Sequence, residues 1–141
     1  MLSPQLVKMR GSFLLILIIA LTGCTSAPPE NKDNICKIFS EKSAWYKDAK
    51  KSSRRWGTDI TVMMSMMYQE SSFMARAKPP RTKILWVLPG PRPASAYGYA
   101  QATNEPWRAY QRATGRGGAD RNKFDDAIDF IGWYNDQSQR Q

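Results

Sequence analysis

Glu70 is the residue whose type and position first invite chemistry. It lies three residues after Met67 and seven after Met63, so on a helix its carboxylate stands at the border of an apolar stripe rather than on the solvated back. Desolvation at that border raises a carboxyl pKa, and a carboxyl kept protonated near neutral pH is what a general acid needs to protonate a glycosidic oxygen. The same spacing also suits an ordinary boundary residue, and spacing alone leaves both readings open. Other chemistries fall away by exclusion. The chain has no His and only Cys24 and Cys36 as thiols, so it cannot assemble a Ser-His-Asp triad, a Cys-His pair or a His-rich zinc site. Gly115, Gly117 and Gly118 fit neither spacing of a Gly-rich phosphate cradle. Neither a metal nor a cofactor is expected. Glu105, Asp120, Asp125, Asp126 and Asp129 fall in the first turns of later helices, where the helix dipole accounts for them, and no second catalytic carboxylate is evident.

Four helices and a loop must position Glu70. Ile35, Ile38, Phe39, Trp45, Tyr46 and Ala49 recur at helical spacing, with lysines opposite, and predict one amphipathic helix. Thr58 is placed to cap a second helix, with Asp59 in its first turn and Ile60, Met63, Met64, Met67, Ser71 and Met74 on its inner face. From Ala75 to Ala96 prolines interrupt the pattern, and Ile84–Leu88 is the only strand-like run, so a long Pro-rich loop with a small β insertion is expected. Loops of that length tend to be functional. A short helix around Pro106–Thr114, stopped by Gly115, and a last helix over about 122–135 complete a mainly α domain.

The N-terminus predicts a destination. Lys8 and Arg10 precede the apolar run Phe13–Leu21, which has the length of a signal-peptide core and is too short to span a bilayer as a helix. Leu21-Thr22-Gly23-Cys24 resembles the lipobox of bacterial lipoproteins. The resemblance implies a signal peptide over 1–23, lipidation of Cys24 and, with Thr25 following, the outer membrane of a Gram-negative cell, facing the periplasm; a conventional signal peptide ending near a Cys is the alternative. Residues 24–34 read as a polar tether and 35–141 as the domain. Removing Lys8 and Arg10 from 21 basic residues leaves 19 against 12 acids, a net +7. Outside the cytosol that balance points to phospholipid headgroups and wall carboxylates rather than nucleic acid. Cys36 is then the odd thiol: buried, paired between molecules or missing its partner.

Tyr68-Gln69-Glu70-Ser71-Ser72-Phe73, followed by Ala96-Tyr97-Gly98-Tyr99-Ala100-Gln101, resembles the lytic transglycosylases with a soluble-lytic-transglycosylase, lysozyme-like domain. Glu70-Ser71 matches the Glu-Ser motif of the family's second core helix, and Gly98-Tyr99-Ala100-Gln101 its Gly-x-x-Gln motif. Trp56-Gly57, Pro79-Pro80-Arg81 and the stretch Asp126–Asn135 resemble a periplasmic lipoprotein subgroup. The resemblance covers Ile35 to about Asn135. It implies an α+β lysozyme-like fold acting as a monomer on peptidoglycan glycan strands, with Glu70 as the only acid/base and a 1,6-anhydro product formed by attack of the muramic acid C6 hydroxyl on its own anomeric carbon. It further implies that Ser71 orients Glu70 or an N-acetyl group, that Gln101 bonds an N-acetyl group or Glu70, and that Gly98 admits the sugar to the backbone. Tyr97 and Tyr99 are sugar-stacking candidates, and Arg81 and Arg92 candidates for peptide or lactyl carboxylates. From the residues alone Ser71 equally suits helix packing, the tyrosines equally suit lids on the core, and the arginines suit solvated loop charge. Family members continue past the equivalent of Asn135, so the C-terminal part is expected to be incomplete, with any partner of Cys36 beyond it. The alternatives are a lysozyme-type hydrolase and a truncated, noncatalytic wall-binding lipoprotein.

Overall fold

A computed structural model describes residues 27–84, 88–92 and 94–141. The apolar run Phe13–Leu21, the Leu21–Cys24 motif and Thr25 lie outside the described residues, as do Leu85–Val87. The architecture is the mainly α one expected: helices α1 (Ile35–Glu41), α2 (Ser43–Trp56), α3 (Ile60–Ser71), α4 (Asn104–Thr114) and α5 (Phe124–Gln139), with a ribbon of β1 (Lys83–Ile84) and β2 (Leu88–Pro89) between α3 and α4. Among the described residues no helix is long and apolar enough to cross a membrane.

The core is built around α5. Its residues from Phe124 to Gly132 are buried apart from Asp125, because α2, α3 and α4 all pack on it. Trp45 of α2 stacks on Phe124 with ring centroids 4.0 Å apart, and Tyr110 of α4 meets Phe130 edge to face. Close approach is secured at Gly132, where an added Cβ would stand 2.6 Å from Ser52 Oγ and 2.8 Å from Trp56 Cδ1. Gly132→Ala is therefore expected to cost about 1–3 kcal/mol through overpacking, read from the shift of a urea midpoint at unchanged slope.

Several expectations are corrected. The first helix is two: Lys42 leaves helical dihedrals at φ −115° and ψ 65°, and the chain turns there. Ile38 and Trp45 remain buried on either side of the turn, so the stripe of apolar side chains runs through the break in phase. Asp59, not Thr58, caps α3, its carboxylate accepting from Thr61 N at 2.7 Å. Thr58 is buried instead, bonding Gly132 O and Asn135. The helix stops at Ser71, because Ser72 and Phe73 take left-handed dihedrals. That reversal drives Phe73 into the core and leaves Met74, expected inside, 48% exposed.

Only the two ends of the strand-like run 84–88 are described, and they lie in two antiparallel strands, with Ile84 opposite Leu88. Residues read from the sequence as polar linker make packed contacts. Pro29 is fully buried, Glu30 N donates to Glu41, Asp33 accepts from Tyr68 OH, and Asn34 caps α1, so the fold begins by Pro28 rather than at Ile35.

Candidate active site

Glu70 sits in the last turn of α3, exposed, with no hydrogen bond or ion pair holding it among the described residues. The desolvating surroundings expected from the apolar stripe are not there: the stripe turns inward at Met63 and Met67, and Glu70 stands outside it. Its carboxylate lines a cleft of about 240 Å³ whose other walls are Met66 on α3, Ala100 to Thr103, Pro106, and Phe130, Ile131 and Tyr134 on α5. On the opposite flank Glu70 borders a second, shallower depression of about 390 Å³ with Thr61, Val62, Ser65, Met66 and Gln69. No other carboxylate lines either depression. One acid therefore stands between two stretches of surface, apolar on one side and hydroxyl-bearing on the other.

The turn facing Glu70 is clamped from two directions. Gly98 N donates to Ala77 O at 3.0 Å, Tyr99 N donates to Arg121 O at 3.1 Å, and Tyr97 bridges Ala102. Gly98 has φ +80°, and a Cβ there would lie 2.0 Å from Arg121 O. Glycine is thus required by the approach of the 121 backbone, and not, as expected, by the approach of a sugar. Gln101 lines the Glu70 cleft, yet its amide Nε2 is committed to Ala77 O at 2.8 Å and Gly98 O at 2.9 Å. It braces the turn on which Ala100 and Ala102 reach the cleft.

The other expected site residues lie outside that cleft. Ser71 is buried and its hydroxyl donates back to Met67 O at 3.3 Å, so it packs on the helix and does not orient Glu70. Tyr99 is fully buried, its ring edge to face with both Trp45 and Phe124; it offers no face to a sugar and is a core residue. The Tyr97 ring is half-buried between the cations of Lys78 and Arg121, 5.5 and 5.6 Å from its centre. Arg92 donates to Pro79 O, and Arg81 is exposed.

Sequence reasoning missed the apolar wall. Tyr134 is 46% exposed in the cleft and stacks on Phe130 at 5.7 Å, which leaves one aromatic face free beside Glu70. Its sequence signal was the spacing Phe130–Tyr134, one turn apart on the last helix. Missed as well was the clamp Arg121, whose guanidinium donates to Ser95 O, Ala102 O and Asn104 Oδ1; nothing in its local sequence distinguishes it from a loop charge.

A further cavity of about 550 Å³ opens between Pro28, α2 and the start of α5 and holds Asp48 and Asp125. Partial burial, and then the Asp125 charge, push the Asp48 carboxyl above its ordinary pKa. The folded state thus binds that proton more tightly than the unfolded chain, and ionisation as pH rises through the folded pKa costs stability. Asp48→Asn is expected to melt at a slightly higher temperature than the parent at pH 7, the difference closing as pH falls below the carboxylate range.

Comparison with characterised proteins and with solved structures finds no match to either. The family profile of the transglycosylase SLT domain matches residues 12–141, nearly the whole chain. With a mainly α fold and a lone glutamate in an aromatic-walled cleft at the end of its third helix, the chain belongs to the transglycosylase SLT-domain family.

Proposed function

We propose that the protein is a lytic transglycosylase that cleaves the β-1,4 bond between N-acetylmuramic acid and N-acetylglucosamine without water, leaving 1,6-anhydro ends. The observation that carries this reading is the solitary carboxylate: Glu70 is the one acid lining either depression beside it. Hydrolysis by the common two-carboxylate route needs a partner about 5–9.5 Å across the bond. A single acid/base suffices when the nucleophile is carried by the substrate. Glu70 donates its proton to the glycosidic oxygen as the C1–O bond breaks and the glucosamine O4 leaves as a hydroxyl. The carboxylate then takes the proton of the muramic acid C6 hydroxyl, whose oxygen closes on C1. Intramolecular attack of this kind carries an effective molarity of order 10⁵ M or more when well oriented.

The free face of Tyr134 is the sugar platform in this reading, since a ring stacked on Phe130 presents a rigid apolar plane beside the acid. Residues 1–23 are the signal peptide, Cys24 carries lipid, and the enzyme works as an outer-membrane lipoprotein facing the periplasm. Mass spectrometry of muropeptides released from purified peptidoglycan by the full chain tests the product. Anhydro-muramyl ends are expected. Reducing ends would instead make it a lysozyme-type hydrolase, and retention of the folded protein on intact wall without release would make it a noncatalytic binder.

A further inference from the structure

We propose that the outward face of α2 is a docking surface for an anionic phospholipid bilayer, and that docking turns the Glu70 cleft away from that bilayer. Lys47, Lys50, Lys51, Arg54 and Arg55 follow one another at helical steps and are all exposed. They lie opposite Trp45, Ala49 and Ser52, the residues α2 buries. Arg55 also reaches Asp129 at 3.2 Å, whereas the other four enter no ion pair among the described residues. Asp48 is the one acid within this stretch of α2.

The partner is a plane of headgroups because the basic side chains border a broad, open depression of about 840 Å³ and are all exposed, so no buried cation is there to fix a single small anion. Tyr46, 45% exposed with the Lys50 ammonium 5.6 Å from its ring centre, adds the amphipathic ring favoured at headgroup level. The point of entry of the chain agrees. Pro28 shares a cavity wall with Ala44 and Asp48, so the polypeptide joins the fold beside the basic stripe. Three positions separate Cys24 from Ala27, and an extended chain spans at most about 3.5 Å per residue. With Cys24 lipidated, the reading on which this proposal rests, Ala27 is held within about 10 Å of the headgroups.

The cleft faces the other way. On α5, Ile128 O accepts from Ser52, and Gly132 lies against Ser52 and Trp56. Phe130 and Tyr134, which line the Glu70 cleft, project from the opposite side of the same helix at about 100° per residue, with Ile131 on the flank between. Thus α2 and α5 lie between the basic face and the cleft.

Amine-acylation footprinting of the full chain reconstituted in vesicles tests this, read residue by residue by mass spectrometry. On vesicles with three parts phosphatidylglycerol to seven of phosphatidylethanolamine, Lys47, Lys50 and Lys51 are expected to react about five-fold more slowly than on phosphatidylcholine vesicles, the factor for a cation held at an anionic surface. Lys78, exposed beside Tyr97, serves as the internal control and should not change. High salt should abolish the difference. Equal rates on both vesicles overturn the proposal, as does protection that appears only when isolated peptidoglycan is added, which would assign the face to the wall. The mass of the N-terminal peptide from cells reports lipidation separately, so a missing lipid and an idle basic face give different results.

Discussion

Glu70→Gln is expected to lower the rate of muropeptide release by about 10²–10⁴-fold, the usual range for removal of a general acid/base, while the thermal midpoint stays where it is. Stability is spared because the side chain is exposed and makes no hydrogen bond or ion pair among the described residues, and the amide has the same shape. In the proposed mechanism both proton transfers pass through this one carboxylate, and no other acid lines the cleft to substitute for it. Affinity for glycan should fall little, since the apolar wall of Phe130, Ile131 and Tyr134 remains. Initial rates of soluble muropeptide release, with calorimetry of both proteins, check the two halves together. A variant that keeps its rate would remove Glu70 from the mechanism.

Asp129→Ala is expected to destabilise the fold by about 2–4 kcal/mol, because it leaves the Tyr110 and Trp56 donors without their acceptor, at about 1–3 kcal/mol per buried group, while the partly exposed guanidiniums of Arg55 and Arg116 rehydrate. Asp129 is 4% exposed. Its Oδ2 accepts from Tyr110 OH at 2.8 Å, Arg116 Nη1 at 2.9 Å and Arg55 Nη1 at 3.2 Å, and its Oδ1 from Trp56 Nε1 at 2.9 Å. Arg116 is shared with buried Asp126 through Nη2, and Asp126 in turn accepts from Asp120 N at 2.9 Å. Burial and then the bond to Asp129 push the Tyr110 phenol well above its ordinary pKa, as expected of a hydroxyl fixed as a donor. Removing the carboxylate leaves one phenol, one indole and two guanidinium donors without their acceptor. Against a domain stability of about 5–15 kcal/mol that is a large fraction. Urea unfolding reads it directly, with Asp125→Ala, an exposed first-turn acid, as the comparison that should shift by less than about 1 kcal/mol.

These two acids show what a sequence conveys and what it withholds. Helical periodicity was legible because burial follows the 3.6-residue repeat, so Ile38, Ala49, Met63 and Met67 were found as core. The turn at Lys42 was not, since the apolar stripe continues in phase through it. Dipole complementarity explained Asp125 and Asp126 as first-turn acids, but it says nothing of the Arg55, Trp56, Tyr110 and Arg116 side chains that converge on Asp129. Those partners come from two helices and a loop, and no local pattern joins them. Within the site, Glu70 was reachable through its motif, whereas burial of Tyr99 and Ser71 and the exposure of Tyr134 depend on where α3 stops and how α5 lies across it. The left-handed residues Ser72 and Phe73 set the first of these, and neither is a glycine that would have announced the turn.

The bracing of the turn by Gln101 bears on how relatives of this chain are sorted. Its amide is spent on the carbonyls of Ala77 and Gly98, and Gly98 is demanded by the Arg121 backbone. Selection for folding is enough to maintain both residues, whether or not any sugar is ever cut. Gly98 and Gln101 therefore report the fold of this turn, and as markers of activity they carry less weight than the acid at position 70, the proposed acid/base.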